Sequence, residues 1–194
     1  MTKSSRQKQR KSGSTDPNKQ QQYLILGGAL AAAILLIGGV IYPMLQPRAP
    51  TSTGSAPCGN LQAMVDEGRE HLKPGETPPA YKNNPPTSGT HNPEWYPAGI
   101  YDQNADLTRL IHSLEHGYVI LYYNGIPKEQ VDQLIRIQQS DPFKLIVAEY
   151  PNMPQKIAIV AWGNMQNCDG VNEQVIRSFI AQFRNHGPEQ ASMN

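Results

Sequence analysis

Thiols are scarce in this 194-residue chain, where Cys58 and Cys168 are the whole inventory. In an oxidising compartment a pair so far apart is most simply one disulfide; two free thiols, or thiolate metal ligation, are the other readings of the same count. Closing a loop of that length contributes about 4 kcal/mol in the chain-entropy picture. Acidic residues form no cluster, which argues against a dedicated calcium site. No internal repeat is apparent. Most tellingly, not one charged side chain occurs between Tyr23 and Tyr42.

That uncharged run, at about 1.5 Å per residue, is about 30 Å long and matches the hydrocarbon core of a bilayer, with tyrosines at both edges. It predicts a transmembrane helix over residues 23–45, longer than the apolar region of a signal peptide and with no small-x-small cleavage site behind it. Ahead of it Lys3, Arg6, Lys8, Arg10, Lys11 and Lys19 oppose one acid, Asp16, a balance of +5 that the positive-inside rule keeps in the cytoplasm. The whole chain carries +1, so the portion beyond the arm carries −4. A mildly acidic exported portion speaks against nucleic acid as a partner. The expected organisation is a disordered basic cytoplasmic arm (1–22), the span (23–45), a Pro/Thr/Ser linker (46–57), an exported domain (58–188) and a tail (189–194). The expected partners are the membrane and an envelope or membrane protein.

Regular periodicity fails between Lys73 and Asp102, where prolines at 74, 78, 79, 85, 86, 93 and 97 exclude a regular element. Upstream, Leu61, Met64, Val65 and Leu72 predict a short helix from Asn60 to about His71. Downstream, Asp106 to Ser113 reads as a brief helix ended by Gly117, Tyr118 to Tyr123 as a strand, and Pro127 to Gln139 as an amphipathic helix. Leu145 to Tyr150 and Ile157 to Trp162 read as a hairpin with a long loop, and a last helix starts near Asn172 and ends at Gly187-Pro188. The fold class expected is α+β: a small, mostly antiparallel sheet in ferredoxin-like β-α-β-β-α order, helices on one face, behind a long proline-rich irregular segment and one N-terminal transmembrane helix.

Side chains suited to ligation or proton transfer concentrate in His112-Ser-Leu-Glu-His116. The pattern H-x-x-E-H is that of inverted zinc peptidases, with Glu115 as general base, but a glycine and a strand follow at once and no glutamate-bearing helix supplies a third ligand. His71 and His91 complete a set of four histidines whose convergence is the economical explanation of their number. Imidazole suits Zn, Cu, Fe or Ni, and Met153 and Met165 are candidate thioether ligands that would favour copper. Glu115 reads as a ligand, as a partner orienting a histidine, or as a base on a metal-bound water. His186, in the last helical turn, reads as structural. Trp95, Tyr96 and Tyr101 either line a groove or pack the loop down.

Gly68-Arg-Glu-His71, Pro85-Pro-Thr-Ser-Gly-Thr-His91 with Gly99-Ile-Tyr101, and His112-Ser-Leu-Glu-His116-Gly together resemble a family of bacterial membrane-anchored domains of unknown function, DUF3105, from about Cys58 to Pro188. The resemblance implies that the four histidines belong to the family's pattern and supplies no activity. Three functions are then in contention: a metal-binding domain with Cu or Zn on His71, His91, His112 and His116; a non-catalytic interaction domain with structural histidines; and a metal-assisted hydrolase using Glu115. Enzymatic activity is the less favoured of these.

Overall fold

A computed structural model of the protein describes residues 56–189. The expected span over 23–45, its basic arm and most of the linker lie outside the described residues, as do residues 190–194. Among the described residues no helix is long and apolar enough to cross a membrane.

Strand β1 is Gln62–Ala63, β2 Gly99–Tyr101, β3 Val119–Tyr123, β4 Leu145–Glu149, β5 Ile157–Ala161 and β6 Asn164–Cys168. The helices are α1 Leu107–Glu115, α2 Lys128–Ser140 and α3 Glu173–Phe183. The strands form one mixed sheet in the order β1-β6-β5-β3-β4-β2. Half of it, β5, β6 and β1, is antiparallel, while β4 runs parallel to both β3 and β2.

This corrects the ferredoxin-like, mostly antiparallel expectation in several places. The segments 145–150 and 157–162 do not form a hairpin, because β3 lies between them, pairing Ile120 with Ile146 on one side and with Val160 on the other. The central strands are buried on both faces and read as continuous apolar runs, so their composition carries no information about neighbour or direction. Two strands were missed. β6, Asn-Met-Gln-Asn-Cys, has poor strand propensity and is formed by its ladder to β5. β2 lies inside the proline-rich segment, and its one exposed residue, Ile100, sits on an edge strand.

The helix expected over Asn60–His71 is absent. Gln62 and Ala63 pair with Met165 and Asn164, and the Met64 N–H donates to the Gly163 carbonyl at 2.9 Å. The Val65 carbonyl accepts from Asn83 Nδ2 at 3.0 Å, so tertiary partners take the groups a helix would have used. α3 stops at Phe183, short of Gly187, with Asn185 in the left-handed region at φ 66°.

Helices lie on both faces. Side chains alternate along β3, so Val119 and Leu121 join Leu134, Ile137, Ile176, Phe179 and Ile180 beneath α2 and α3. Ile120 and Tyr122 point the other way, into a second core with Leu110 and Leu114 of α1. Met153 and Met165 are buried in that second core. Cys58 and Cys168 are disulfide-bonded, fastening the start of the described chain to the end of β6.

Candidate metal centre

Helix α1 carries the centre. Asp106 caps its start by accepting from the Thr108 N–H at 2.9 Å, and Gly117, at φ +78°, closes its end. The Gly117 N–H donates to Leu114 and the Tyr118 N–H to Ser113, a Schellman arrangement that holds His116 at the helix cap. At 100° per residue His112, Glu115 and His116 share one side of the helix, away from the apolar Leu110 and Leu114. All three are buried.

The proline-rich segment supplies the facing side. Residues 83–91 fold into a buried turn laid against residues 65–72. Gly89 N–H donates to Gly68, His91 N–H to Glu70, and Leu72 N–H to His91, so His71 and His91 sit opposite each other as a parallel bridge. Gly89, at φ +121°, rests on the Tyr81 ring, where an added Cβ would come within 2.9 Å. Tyr81 in turn donates its hydroxyl to the Thr90 carbonyl at 2.6 Å, and burial first of all pushes that hydroxyl's pKa up to about 12. This turn fixes His91, which has no solvent exposure.

The rings of His71, His91 and His112 lie with centroids 4.8 to 5.0 Å apart. Glu115 Oε2 comes to 3.0 Å from His91 Nε2 and 3.8 Å from His71 Nε2. One ligand atom from each of His71, His91, His112 and Glu115 falls within 4.8 Å of every other, close enough for these four groups to surround an ion. His116 belongs to a second such group with His112 and Glu189, and its ring stacks on that of His112 at 4.6 Å. The four predicted histidines are thus brought into one neighbourhood, but in two overlapping groups rather than one.

Hydrogen bonds at the far ring nitrogens set the tautomers. His91 Nδ1 is 2.7 Å from the Gly89 carbonyl, His112 Nδ1 2.7 Å from the Asn92 carbonyl and His116 Nδ1 3.3 Å from the Glu189 carbonyl. A carbonyl only accepts, so each Nδ1 carries the hydrogen, and in its neutral form such a ring presents the lone pair on Nε2. His91 Nε2, His116 Nε2 and Glu115 Oε2 are buried without a hydrogen-bond partner, and the 3.0 Å approach of His91 to Glu115 lacks hydrogen-bonding geometry. Burial above all lowers the His112 pKa to about 4, against its bond to Asn92 and with help from the neighbouring histidines. His112 is therefore neutral at neutral pH, as a metal ligand must be.

Glu189, the first residue of the expected tail, belongs to the second group. No local pattern marks it, and it arrives through two glycines instead. An added Cβ on Gly187 would collide with the Glu115 carbonyl and the Gly117 N–H, and one on Gly117 would lie 2.8 Å from Asn185 Cα. With both side chains missing, the Asn185 N–H donates to Gly117 and the Glu189 N–H to Glu115. Beneath this contact the buried Lys144 ammonium donates to the His116 carbonyl at 2.8 Å and to Asn185 Oδ1 at 2.7 Å, its pKa lowered by burial.

The indole of Trp95 covers the outer side, 4.6 Å from the His116 ring and 5.4 Å from that of His112. Tyr96 and Tyr101 pack against the second core. His71 is the opening to solvent, its side chain 46% exposed. Concavities of about 550, 350 and 410 Å³ lie beside the disulfide, against α3 near Leu61, and beside β2 at Tyr101 and Tyr123; none is lined by a histidine. His186 stands apart, exposed, with Nδ1 donating to Gln182.

The family model described as "Protein of unknown function (DUF3105)" matches residues 73–194, beginning two residues after His71 and including His91, His112, Glu115, His116 and Glu189. No curated protein and no solved structure matches the chain.

Proposed function

We propose that this chain, which belongs to the DUF3105 family of proteins of unknown function, binds one divalent transition-metal ion, zinc or copper(II), between His71, His91, His112 and Glu115. One observation carries the reading: two buried polar atoms, His91 Nε2 and Glu115 Oε2, lie 3.0 Å apart and neither has a hydrogen-bond partner. Both are sealed from water, while the opposite nitrogen of His91 is committed to a backbone carbonyl. An unpaired buried polar atom costs roughly 1–3 kcal/mol, and a cation among these atoms removes that cost at each of them. Imidazole and carboxylate donors suit zinc and copper(II).

Structural histidines in an interaction domain would have both ring nitrogens satisfied, which those of His91 and His116 are not. A hydrolase needs a base open to its substrate, and the burial of Glu115, 2% exposed, favours a role as ligand over a role as base. Binding, storage or delivery of the ion is the better-supported function.

The disulfide supports placing the domain in an oxidising compartment. The uncharged run that precedes it and the +5 arm support a tether to a membrane with the domain on the extracytoplasmic side. Elemental analysis of the purified full-length chain should give one zinc or copper per chain. His91→Ala and His112→Ala should each weaken binding at least about a hundredfold, since even residues that only orient ligands are worth about 10–100-fold. Metal-free wild type after exposure to both ions would overturn the proposal.

A further inference from the structure

The second group of ligands remains to be explained. His116 is buried, its Nε2 has no partner, and it lies outside the quartet assigned above. Its Nδ1 is held by the carbonyl of Glu189, the same residue whose carboxylate completes the group with His116 and His112. The close passage of Gly187 past Glu115 and Gly117 keeps Glu189 there.

His112 belongs to both groups, and this restricts what they can hold. With its Nδ1 hydrogen donated to Asn92, the ring has a single lone pair, on Nε2. One lone pair serves one ion. The inner group (His71, His91, His112, Glu115) and the outer group (His112, His116, Glu189) are therefore alternative positions for the same ion rather than a two-ion centre. They also differ in access, because Glu189 is exposed whereas His91 and Glu115 are buried. A hydrated dication approaching from solvent is drawn to an exposed carboxylate more strongly than to the imidazole of His71, the other opening.

We propose that His116 and Glu189 form an outer docking position through which the divalent ion enters and leaves the buried site, with His112 passing it between the two. The inference rests on the metal-binding function proposed above. In the inward direction Glu189 and His116 Nε2 each displace a water from the hydrated ion, and His112 Nε2 displaces a third. His91, Glu115 and His71 then replace His116, Glu189 and one further water. The three rings hydrogen-bonded through Nδ1 keep their hydrogens there throughout, so ligand exchange needs no proton transfer at them.

A docking position accelerates entry and exit alike and leaves the equilibrium between free and buried ion unchanged. Zn²⁺ loading of the full-length chain, and its release to a chromophoric chelator, measured by stopped flow for wild type, Glu189→Gln and His116→Asn, test this. Both variants should slow loading and release by the same factor, at least about tenfold, while stoichiometry stays at one and the dissociation constant is unchanged. Wild-type rates in both variants would overturn the docking position, and so would a weakened dissociation constant with an unaltered loading rate, which would make these residues ordinary ligands of the final site. A stoichiometry of two would overturn the sharing of His112. Absence of zinc binding by wild type would remove the metal-binding function itself, a failure distinct from the others.

Discussion

The two faces of the sheet are built from different kinds of backbone, and only one of them gathers polar side chains. Under α2 and α3 the strands meet amphipathic helices, and the contact is made by Leu134, Ile137, Ile176, Phe179 and Ile180. On the opposite face α1 shares the surface with an irregular strap. Nine of the eleven buried polar or charged residues among those described lie in 83–91 or 108–116, on that side. The carbonyls explain why. Within helices and ladders, carbonyl groups are taken up by the regular hydrogen bonds. The carbonyls that orient His91, His112 and His116 belong to Gly89, Asn92 and Glu189, none of them in a helix or strand. Irregular backbone is what a convergent imidazole site needs, because it leaves acceptors free to fix the rings.

If the faces divide labour in this way, damage to the helical face should reduce stability without reaching the ion. Leu121, fully buried beneath α2 and α3, is the clearest case. Leu121→Ala should cost about 2–5 kcal/mol in urea unfolding through lost burial and the cavity left behind. Metal affinity should stay at the wild-type value. A parallel fall in affinity would show that the sheet transmits the defect and that the faces are not independent.

The polar face should have a pH signature that the helical face lacks. Burial holds the His112 pKa at about 4, below its ordinary 6.5. Between those values the unfolded chain takes up a proton that the folded chain refuses, so stability present above about pH 6.5 is lost as pH falls to about 4. Metal-free protein should show this decline in urea midpoints. His112→Gln should flatten it, and saturating zinc should shift it to lower pH, because the ion binds the folded state alone. A decline of the same size in His112→Gln would assign the effect to other groups.

What was legible in the sequence follows the same division. Segments whose information is local were found: Asp106 and Gly117 bracketed α1, Pro127 opened α2, and Asn172, whose side chain accepts from the Val175 N–H at 3.2 Å, opened α3. The strand order was not legible, since fully buried strands such as β3 and β5 carry no face alternation to tell one neighbour from another. The segment after Asn60 had a helical spacing and still formed an edge pairing, because β6 and the 83–91 turn claimed its backbone. For the site, histidine count and the H-x-x-E-H spacing pointed to side chains that the fold brings close together. Their division into two groups depends on Gly89, Gly117 and Gly187 at close backbone approaches, and Glu189 reaches the histidines only by that route. A long-range approach of that kind leaves no periodic trace.

The smallest effect is expected at His186, which isolates the variable that matters. Its Nδ1 donates to the Gln182 carbonyl at 2.9 Å, the same kind of bond that orients the three buried rings. Ring type and bond are thus held constant, while burial and convergence are removed. An exposed ring of this kind exchanges its hydrogen bonds with water at little net cost, and substitutions of such surface groups usually fall within about 0.5 kcal/mol. His186→Ala should therefore leave both the urea midpoint and the zinc dissociation constant at wild-type values. A drop in zinc affinity in this variant would mean that carbonyl-oriented histidines near the end of the chain contribute wherever they stand, and that the buried strap is not what confers binding.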